Sequence, residues 1–489
     1  MKRLLAIANI VGLTMVMFAI TLVLPMGMAL WHADGAESAF IDAFLLSLIL
    51  GGLLWLTTRR FKAELRPRDG FPLVTLVWLV LPLIACLPFI IYFQRIGTPV
   101  SFTDAYFEAM SGLTTTGATI FTGLDTMPMS INLWRATLVW VGGMGILVLA
   151  VAVLPLLGVG GHQVFRAETP GPMKDERLTP RIASTAKALY AVYVGLSAVC
   201  FVAYRLAGLS WFEAWTHMAT TMGLGGFSTR DEGFAAFDSL QVEIVAIVFM
   251  LIAGINFATH FSAWHYRSIR AYWRCPEAIP YLVLVLVSGL AVSGLLYWKD
   301  IYTDGWDALR YGMFNTISVA TTTGYANTDY TVWPLVIPVF LLLLSGVATS
   351  AGSTGGGIKM IRAVLLIKQT RAEIVKMLHP NAVSPVRIGE RVVDPRVMSS
   401  VAAYMLVYVL SILLLSGLML LSGLPPTEAF SSVLATINNT GPGLGGLGPM
   451  GSFASLNTFQ TWVCIFAMLI GRLEFFTVLV LLTPAFWRR

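Results

Sequence analysis

The sequence predicts an all-α polytopic membrane protein. It has ten transmembrane helices plus four re-entrant half-helices, arranged as four helix, half-helix, helix repeats behind two extra N-terminal helices. Three observations carry this reading. The 489 residues are 57% hydrophobic and 12% charged, against about 25% charged in ordinary soluble domains. Apolar blocks of spanning length, roughly 20 residues, recur along the whole chain. The string L-T-T-T-G-A-T at 113–119 has a close copy, A-T-T-T-G-Y-A, at 320–326, each between two such blocks.

The blocks lie near residues 4–31, 39–57, 71–93, 131–158, 184–206, 238–265, 279–298, 332–350, 397–421 and 457–482. The first is too long for a signal-peptide core and lacks a small-residue cleavage site, so it reads as a retained span. Ten crossings put both termini on one side. That side carries 25 lysines and arginines against 6 on the other, so both termini are expected in the cytoplasm. The opposite face has 16 acids against its 6 basic residues, a net charge of −10. A field of that sign concentrates cations at an entrance, although mildly acidic outer loops also occur without such a role. Cys86, Cys200 and Cys464 lie in apolar segments and Cys275 in a basic loop, with no disulfide framework or metal-ligand spacing.

Between alternate pairs of blocks, on the outer side, lies a segment too apolar for a free loop and too short to cross. Asp104-Ala105, Glu213-Ala214 and Glu428-Ala429 each place the acid 13 residues before a glycine, namely Gly117, Gly226 and Gly441. In the third copy Asp307 lies a turn earlier relative to Gly324, so that helix is expected to start sooner. Ser210 with Glu213 forms a capping-box pattern, Thr427 is expected to cap ahead of Glu428, and an early acid suits the helix dipole. About ten residues at 1.5 Å each reach roughly half of a ~30 Å hydrocarbon core.

A helix that stops at that depth leaves carbonyls without water or lipid partners. Irregular backbone is tolerated there only inside protein or along a wet cavity. Four such segments meeting on one axis would supply that cavity, with helix carboxyl ends and strand carbonyls replacing the water shell of a monovalent cation. The intervals of 109, 98 and 117 residues between the four glycines argue against chance turns.

On these residues the chain resembles the Trk/Ktr/HKT superfamily of potassium transporters. The two extra spans before residue 70, the run from Trp140 to Gly161, the segment from Gly254 to His260 and the stretch from Ser350 to Lys359 resemble its bacterial TrkH/TrkG-type branch. The resemblance implies a pseudo-fourfold pore divided as residues 1–70, 71–183, 184–278, 279–396 and 397–489. It implies a potassium filter of Thr115, Thr116 and Gly117, then Leu224, Gly225 and Gly226, then Thr322, Thr323 and Gly324, then Asn439, Thr440 and Gly441. In that family glycine at the defining position goes with potassium and serine with sodium, and all four are glycine here. The unlike strands predict modest discrimination among potassium, rubidium and caesium.

The eighth block breaks at Ser345–Gly357, where five of 13 residues are glycine, each costing a helix roughly 1 kcal/mol relative to alanine. The resemblance implies an intramembrane gating loop of Gly346, Thr349, Ser350, Ala351, Gly352, Ser353, Thr354, Gly355, Gly356, Gly357 and Lys359. A small-residue packing surface is the alternative. Arg472, inside the last block, is expected to face the pore; a static pair with a carboxylate of a neighbouring helix, or snorkelling to the inner surface, is the alternative. Asn256 and His260, one turn apart in the sixth block, read as a polar contact between helices.

No catalytic constellation is present, and the G-x-G-x-x-G match at Gly443–Gly448 has no βαβ frame. The expected substrate is the potassium ion, with no organic cofactor, no transition metal and no nucleic acid. The segment Lys368–His379 is expected to continue the eighth span as a helix. The resemblance implies a homodimer in the bacterial inner membrane, seated on a cytosolic TrkA-like (RCK) nucleotide-binding ring. A proton- or sodium-coupled symporter with alternating access is the other reading, since broken helices serve carriers too.

Overall fold

The computed structural model describes residues 2–61, 66–148, 178–389 and 391–488. The fourth apolar block beyond residue 148 and the charges Lys62, Arg166, Lys174, Arg177 and Arg489 lie outside the described residues.

Among the described residues, six helices are long and apolar enough to cross a membrane. Two further pairs, Leu240–Ala253 with Phe257–His265 and Thr458–Arg472 with Phe475–Leu482, pass the same test but bend by 91° and 114° at a short break. The sixth and last apolar blocks, each expected as one span, are therefore sharply bent helix pairs. The first break falls at Gly254-Ile255-Asn256, where the Asn256 side chain caps the second half through the Ala258 N–H at 2.8 Å. The second falls at Glu474, whose positive φ of 59° ends one helix before the next begins.

The exterior is apolar, unlike that of a soluble protein, and polar side chains lie buried within a largely apolar core. Leu45, Leu53, Val287, Leu290, Leu413 and Leu414 are exposed on the long helices, while Ser111, Thr116, Thr220, Asn315 and Thr436 are fully buried. An apolar exterior suits a hydrocarbon solvent, and the chain is a multi-pass membrane protein. The N-terminal helices Lys2–Ala19 and Glu37–Thr58 pack closely because glycines face each other: a methyl on Gly12 would sit 2.7 Å from the Trp55 nitrogen.

The central body is built from helix, half-helix, helix units. The half-helices are Phe102–Leu113, Trp211–Gly223, Gly305–Ala320 and Pro426–Ile437. The third begins a turn earlier relative to its glycine, as Asp307 suggested, with Asp304 capping the Trp306 N–H at 3.1 Å. The eighth block is helical only over Val336–Val347, and helix resumes at Met360–Leu378. The Lys368–Leu378 stretch is thus helical but separated from the span by an irregular loop, and a two-stranded hairpin, Arg387–Ile388 with Arg391–Val392, follows it.

Candidate functional site

The half-helices start where their caps dictate. Ser101 accepts from the Asp104 N–H at 3.1 Å, and Ser210 with Glu213 forms the reciprocal capping box. In the fourth the expectation fails, since the helix begins at Pro426 after Pro425 and Thr427 is already inside it. A proline in the first turn needs no amide partner, so no hydroxyl cap is required. Glu428 instead accepts from the Gly446 N–H at 3.1 Å.

All four half-helices stop three or four residues before their glycine, and the backbone then makes a left-handed turn at the same position in each. Thr115, Leu224, Thr322 and Asn439, each two residues before a glycine, have positive φ of 54°, 55°, 63° and 54°. The left-handed region is costly for residues with a β-carbon, yet every repeat adopts it at the same register. Gly117, Gly324 and Gly441 follow with φ of 79°, 84° and 93°, whereas Gly226 has no positive φ.

The glycines form a closed ring. A methyl on Gly117 would meet the Gly226 nitrogen, one on Gly226 the Thr323 oxygen, one on Gly324 the Thr440 oxygen, and one on Gly441 the Thr116 oxygen at 2.8 Å. The circuit from the first repeat returns to the first. Gly117, Gly226, Gly324 and Gly441 all line one cavity of about 70 Å³, together with Ala118, Tyr325, Pro442 and Arg135.

The walls behind the ring differ by repeat. In the first and third, hydroxyl pairs Thr114 with Thr116 and Thr321 with Thr323 lie 2.8 Å apart. In the second, Thr220 and Thr221 bond the Tyr325 hydroxyl of the next repeat at 2.5 and 3.1 Å. In the fourth, Asn439 donates to Thr116 Oγ1 at 3.0 Å and to the Met468 carbonyl at 3.1 Å. Asn438 donates to Ser345 Oγ at 3.0 Å and accepts from Tyr408 at 2.8 Å.

The irregular stretch after Val347 packs against the ends of the second, third and fourth half-helices and against Gly143 of the helix Met129–Val148 in the first repeat. Thr354 donates to the Met222 carbonyl at 2.9 Å, and the Gly356 N–H donates to Thr322 Oγ1 at 2.9 Å. A methyl on Gly143 would touch Thr354 at 3.3 Å, and Gly356 lies against the Asn438 carbonyl. Thr349 closes the stretch by donating to the Gly356 carbonyl at 2.8 Å. Ser350 N–H donates to the Gly254 carbonyl at 3.0 Å, and Gly352 accepts from the Phe257 N–H at 3.1 Å, so the broken sixth span seats one end of the loop. Gly346 belongs to the last turn of the preceding helix, where it accepts from the Ile358 N–H at 2.5 Å. Lys359 has a positive φ of 80° and donates to the Gly355 carbonyl.

Arg472 is buried and donates to the Thr354 carbonyl at 2.9 Å and the Gly142 carbonyl at 3.4 Å. Among the described residues no carboxylate lies within ion-pair distance of it, and the guanidinium sits 6.0 Å from the Trp78 ring centroid. Glu474 is committed to Arg362 at 2.6 Å, with the guanidinium 3.9 Å over the Tyr404 ring. The polar contact between helices expected at Asn256 and His260 is made by His260. Asn256 is a cap, and His260 joins the Ile252 carbonyl at 2.9 Å and the Tyr272 hydroxyl at 2.8 Å.

Two groups were missed by reading the sequence. Glu277 is buried and one of its oxygens accepts from Ala351 N–H at 2.9 Å and Ile361 N–H at 3.0 Å, holding both ends of the loop. Arg135, counted above as an outer charge, is buried with Glu108 at 2.7 Å. A carboxylate inside an apolar half-helix is the signal that demanded such a partner; removing either member of a buried pair costs about 3–5 kcal/mol.

Backbone-lined convergence of four half-helices in a multi-pass membrane body is the architecture of an ion-conducting transport protein. Comparison narrows this class. A family profile described as TrkH, cation transport protein, matches residues 36–289 and 302–489. The chain is 44% identical over 487 residues to the Trk system potassium uptake protein TrkH of Salmonella typhimurium, covering 99% of each. It is 36% identical over 486 residues to TrkG of Escherichia coli, covering 99% of this chain and 98% of that one. It matches the crystal structure of the potassium transporter TrkH from Vibrio parahaemolyticus with a TM-score of 0.91 at 41% identity, covering 99% of this chain and 100% of that one. The chain belongs to the TrkH family of cation transport proteins.

Proposed function

We propose that this chain is the potassium-conducting subunit of an uptake system, passing the ion down its electrochemical gradient through a gated pore. The observation that carries the reading is the cyclic closure of Gly117, Gly226, Gly324 and Gly441 around one cavity. Alternating left-handed backbone at the residues two before each glycine turns strand carbonyls toward that axis, where they replace water around a cation of potassium's size. The potassium named in the relatives' descriptions supports the choice of ion.

In this reading ten spans and four re-entrant half-helices make up units 1–70, 71–183, 184–278, 279–396 and 397–489. The 25-to-6 charge asymmetry puts both termini in the cytoplasm of a bacterium and the ring near the outer side. Thr349–Lys359 is then the gate on the cytoplasmic side of the ring, with Arg472 adding a positive charge to the ion's path. Control comes from a cytosolic nucleotide-binding ring contacting a homodimer of this chain. That the relatives carry the name of a Trk system fits a protein that works with further components. A coupled carrier typically pairs inverted repeats, whereas these units share one orientation.

Reconstituted single-channel recording in mixed potassium and sodium tests this. Discrete steps with potassium carrying the current are expected; turnover coupled to protons or sodium without unitary steps establishes the symporter instead.

A further inference from the structure

Each half-helix sends one polar side chain back to its own returning strand, just past the glycine. In the first repeat Glu108, nine residues before Gly117, accepts from the Ile120 N–H at 2.9 Å and from Thr119 Oγ1 at 3.0 Å. At the same register His217 Nε2 shares a hydrogen bond with Ser228 Oγ at 3.2 Å, and Asn315 donates to Asn327 Oδ1 at 2.7 Å. In the fourth, Ser431 Oγ accepts from the Leu444 N–H at 2.9 Å. Four braces thus hold four strands; Glu213 and Glu428 add charged contacts at the outer starts of their half-helices, but among these four buried mid-helix braces only Glu108 is charged, and only its partner reaches a second repeat.

The charged brace is completed by Arg135. Its Nε donates to Glu108 at 2.7 Å, Nη2 to Thr119 Oγ1 at 3.1 Å, and Nη1 crosses to the Ser228 carbonyl of the second repeat at 3.0 Å. The guanidinium lies 4.3 Å over the Phe227 ring and borders the cavity lined by the ring glycines. Arg135 and Glu108 are 1% and 0% exposed. A planar fork with three fixed directions, desolvated and paired, holds two strands at a set separation in a way that a single-point ammonium does not.

We propose that the Glu108–Arg135 pair is a specificity-determining brace. It fixes the distance between the first and second filter strands, and with it the preference of the ring for potassium over the smaller sodium ion. This rests on the filter reading above. The neutral braces of His217, Asn315 and Ser431 position their strands less rigidly and contribute less to the choice of ion. The pair touches no ion itself and acts through the carbonyls of the strands it ties.

The test is the potassium-to-sodium permeability ratio of the full chain in liposomes, with melting temperature measured on the same preparations. Arg135→Lys keeps the charge and loses the fork; its ratio is expected to fall about tenfold or more at a melting temperature within a few degrees of wild type. Thr119→Val removes one arm and leaves the ion pair, serving where the lysine variant does not fold, and is expected to lower the ratio about threefold. Asn315→Ala, breaking a neutral brace, is expected to change it less than either. Gly117→Ser is run alongside. A shifted ratio in Gly117→Ser with unchanged ratios in the folded brace variants overturns the brace and leaves the filter standing. Unchanged ratios in all of them overturn the filter reading itself.

Discussion

Around the glycine ring every repeat supplies the same element at the same register, whereas the loop beside it comes from the third repeat alone. Its supports, Glu277, Arg472, Lys359 and the Arg362–Glu474 pair, each occur once. A coordination shell needs oxygens from all sides, so the ring repeats a backbone solution four times. In the proposed reading the loop obstructs the ion path, and an obstruction needs only one segment, which is easier to move than four. The ring therefore depends on glycine and backbone angle, and the loop on charged side chains that can be neutralised one at a time.

The largest effect is expected from breaking the ring. Gly441→Ser places a β-carbon at a φ of 93° and 2.8 Å from the Thr116 oxygen. Roughly 2–3 kcal/mol of strain relieved by moving the strand is on the order of a hundredfold in ion preference, read as the potassium-to-sodium flux ratio. Gly226→Ser sharpens the comparison. Gly226 is crowded but lacks the positive φ of its three counterparts, so it should lose less selectivity than Gly441→Ser.

Next comes the loop's charge. Arg472→Ala removes a buried cation that donates to two backbone carbonyls and lies over the Trp78 ring. At an effective dielectric of about 20, a unit charge ~8 Å from an ion is worth roughly 2 kcal/mol, about thirtyfold in rate. Potassium flux should rise by that order while the flux ratio stays at the wild-type value. A changed ratio with unchanged flux would assign Arg472 to the ring instead.

Glu277→Ala should act more weakly and in the same sense. It strands the Ala351 and Ile361 N–H groups at the loop's two ends, at about 1–3 kcal/mol each. Part of that is recovered by water or loop movement, so an increase in resting leak of about tenfold is expected. Glu277→Gln keeps one accepting oxygen and should leak less than the alanine variant.

These differences also explain what the sequence disclosed. The short helices, the starts of the first three and the glycine register were legible because local chemistry sets them: caps, early acids and a repeated interval; the fourth start, set by Pro425 and Pro426, was misread. The break after Val347 was legible because five glycines in 13 residues cannot sustain a helix. The breaks at Asn256 and Glu474 were hidden, since one polar residue in an apolar run does not announce a turn. Glu277 stands 74 residues from Ala351, and Arg135 lies 93 residues from Ser228. No periodicity links positions that far apart, and only the fold brings them into contact. The left-handed angles at Thr115, Leu224, Thr322 and Asn439 were also invisible, because threonine, leucine and asparagine share no chemistry that calls for that backbone.

The smallest effect belongs to a charge cluster that joins the same two repeats as the buried brace but faces water. Arg230 pairs with Asp125 at 3.2 Å and with Glu213 at 2.6 Å, and the Asp231 N–H donates to Asp125 at 3.2 Å. Partial burial pushes the Asp125 carboxyl up, but the Asp231 N–H and the Arg230 guanidinium outweigh it, so it titrates below its ordinary value of 3.8. A depressed folded value means that its stabilisation is fully present above 3.8 and is lost as the pH falls through the lower value. Asp125 and Arg230 are each 42% exposed, so Asp125→Asn should cost no more than about 1 kcal/mol at neutral pH. The gap in melting temperature between wild type and variant should hold from neutral pH down toward that ordinary value and close below it. A gap of several kcal/mol, or one that persists in acid, would place this cluster with the buried brace rather than with screened surface pairs.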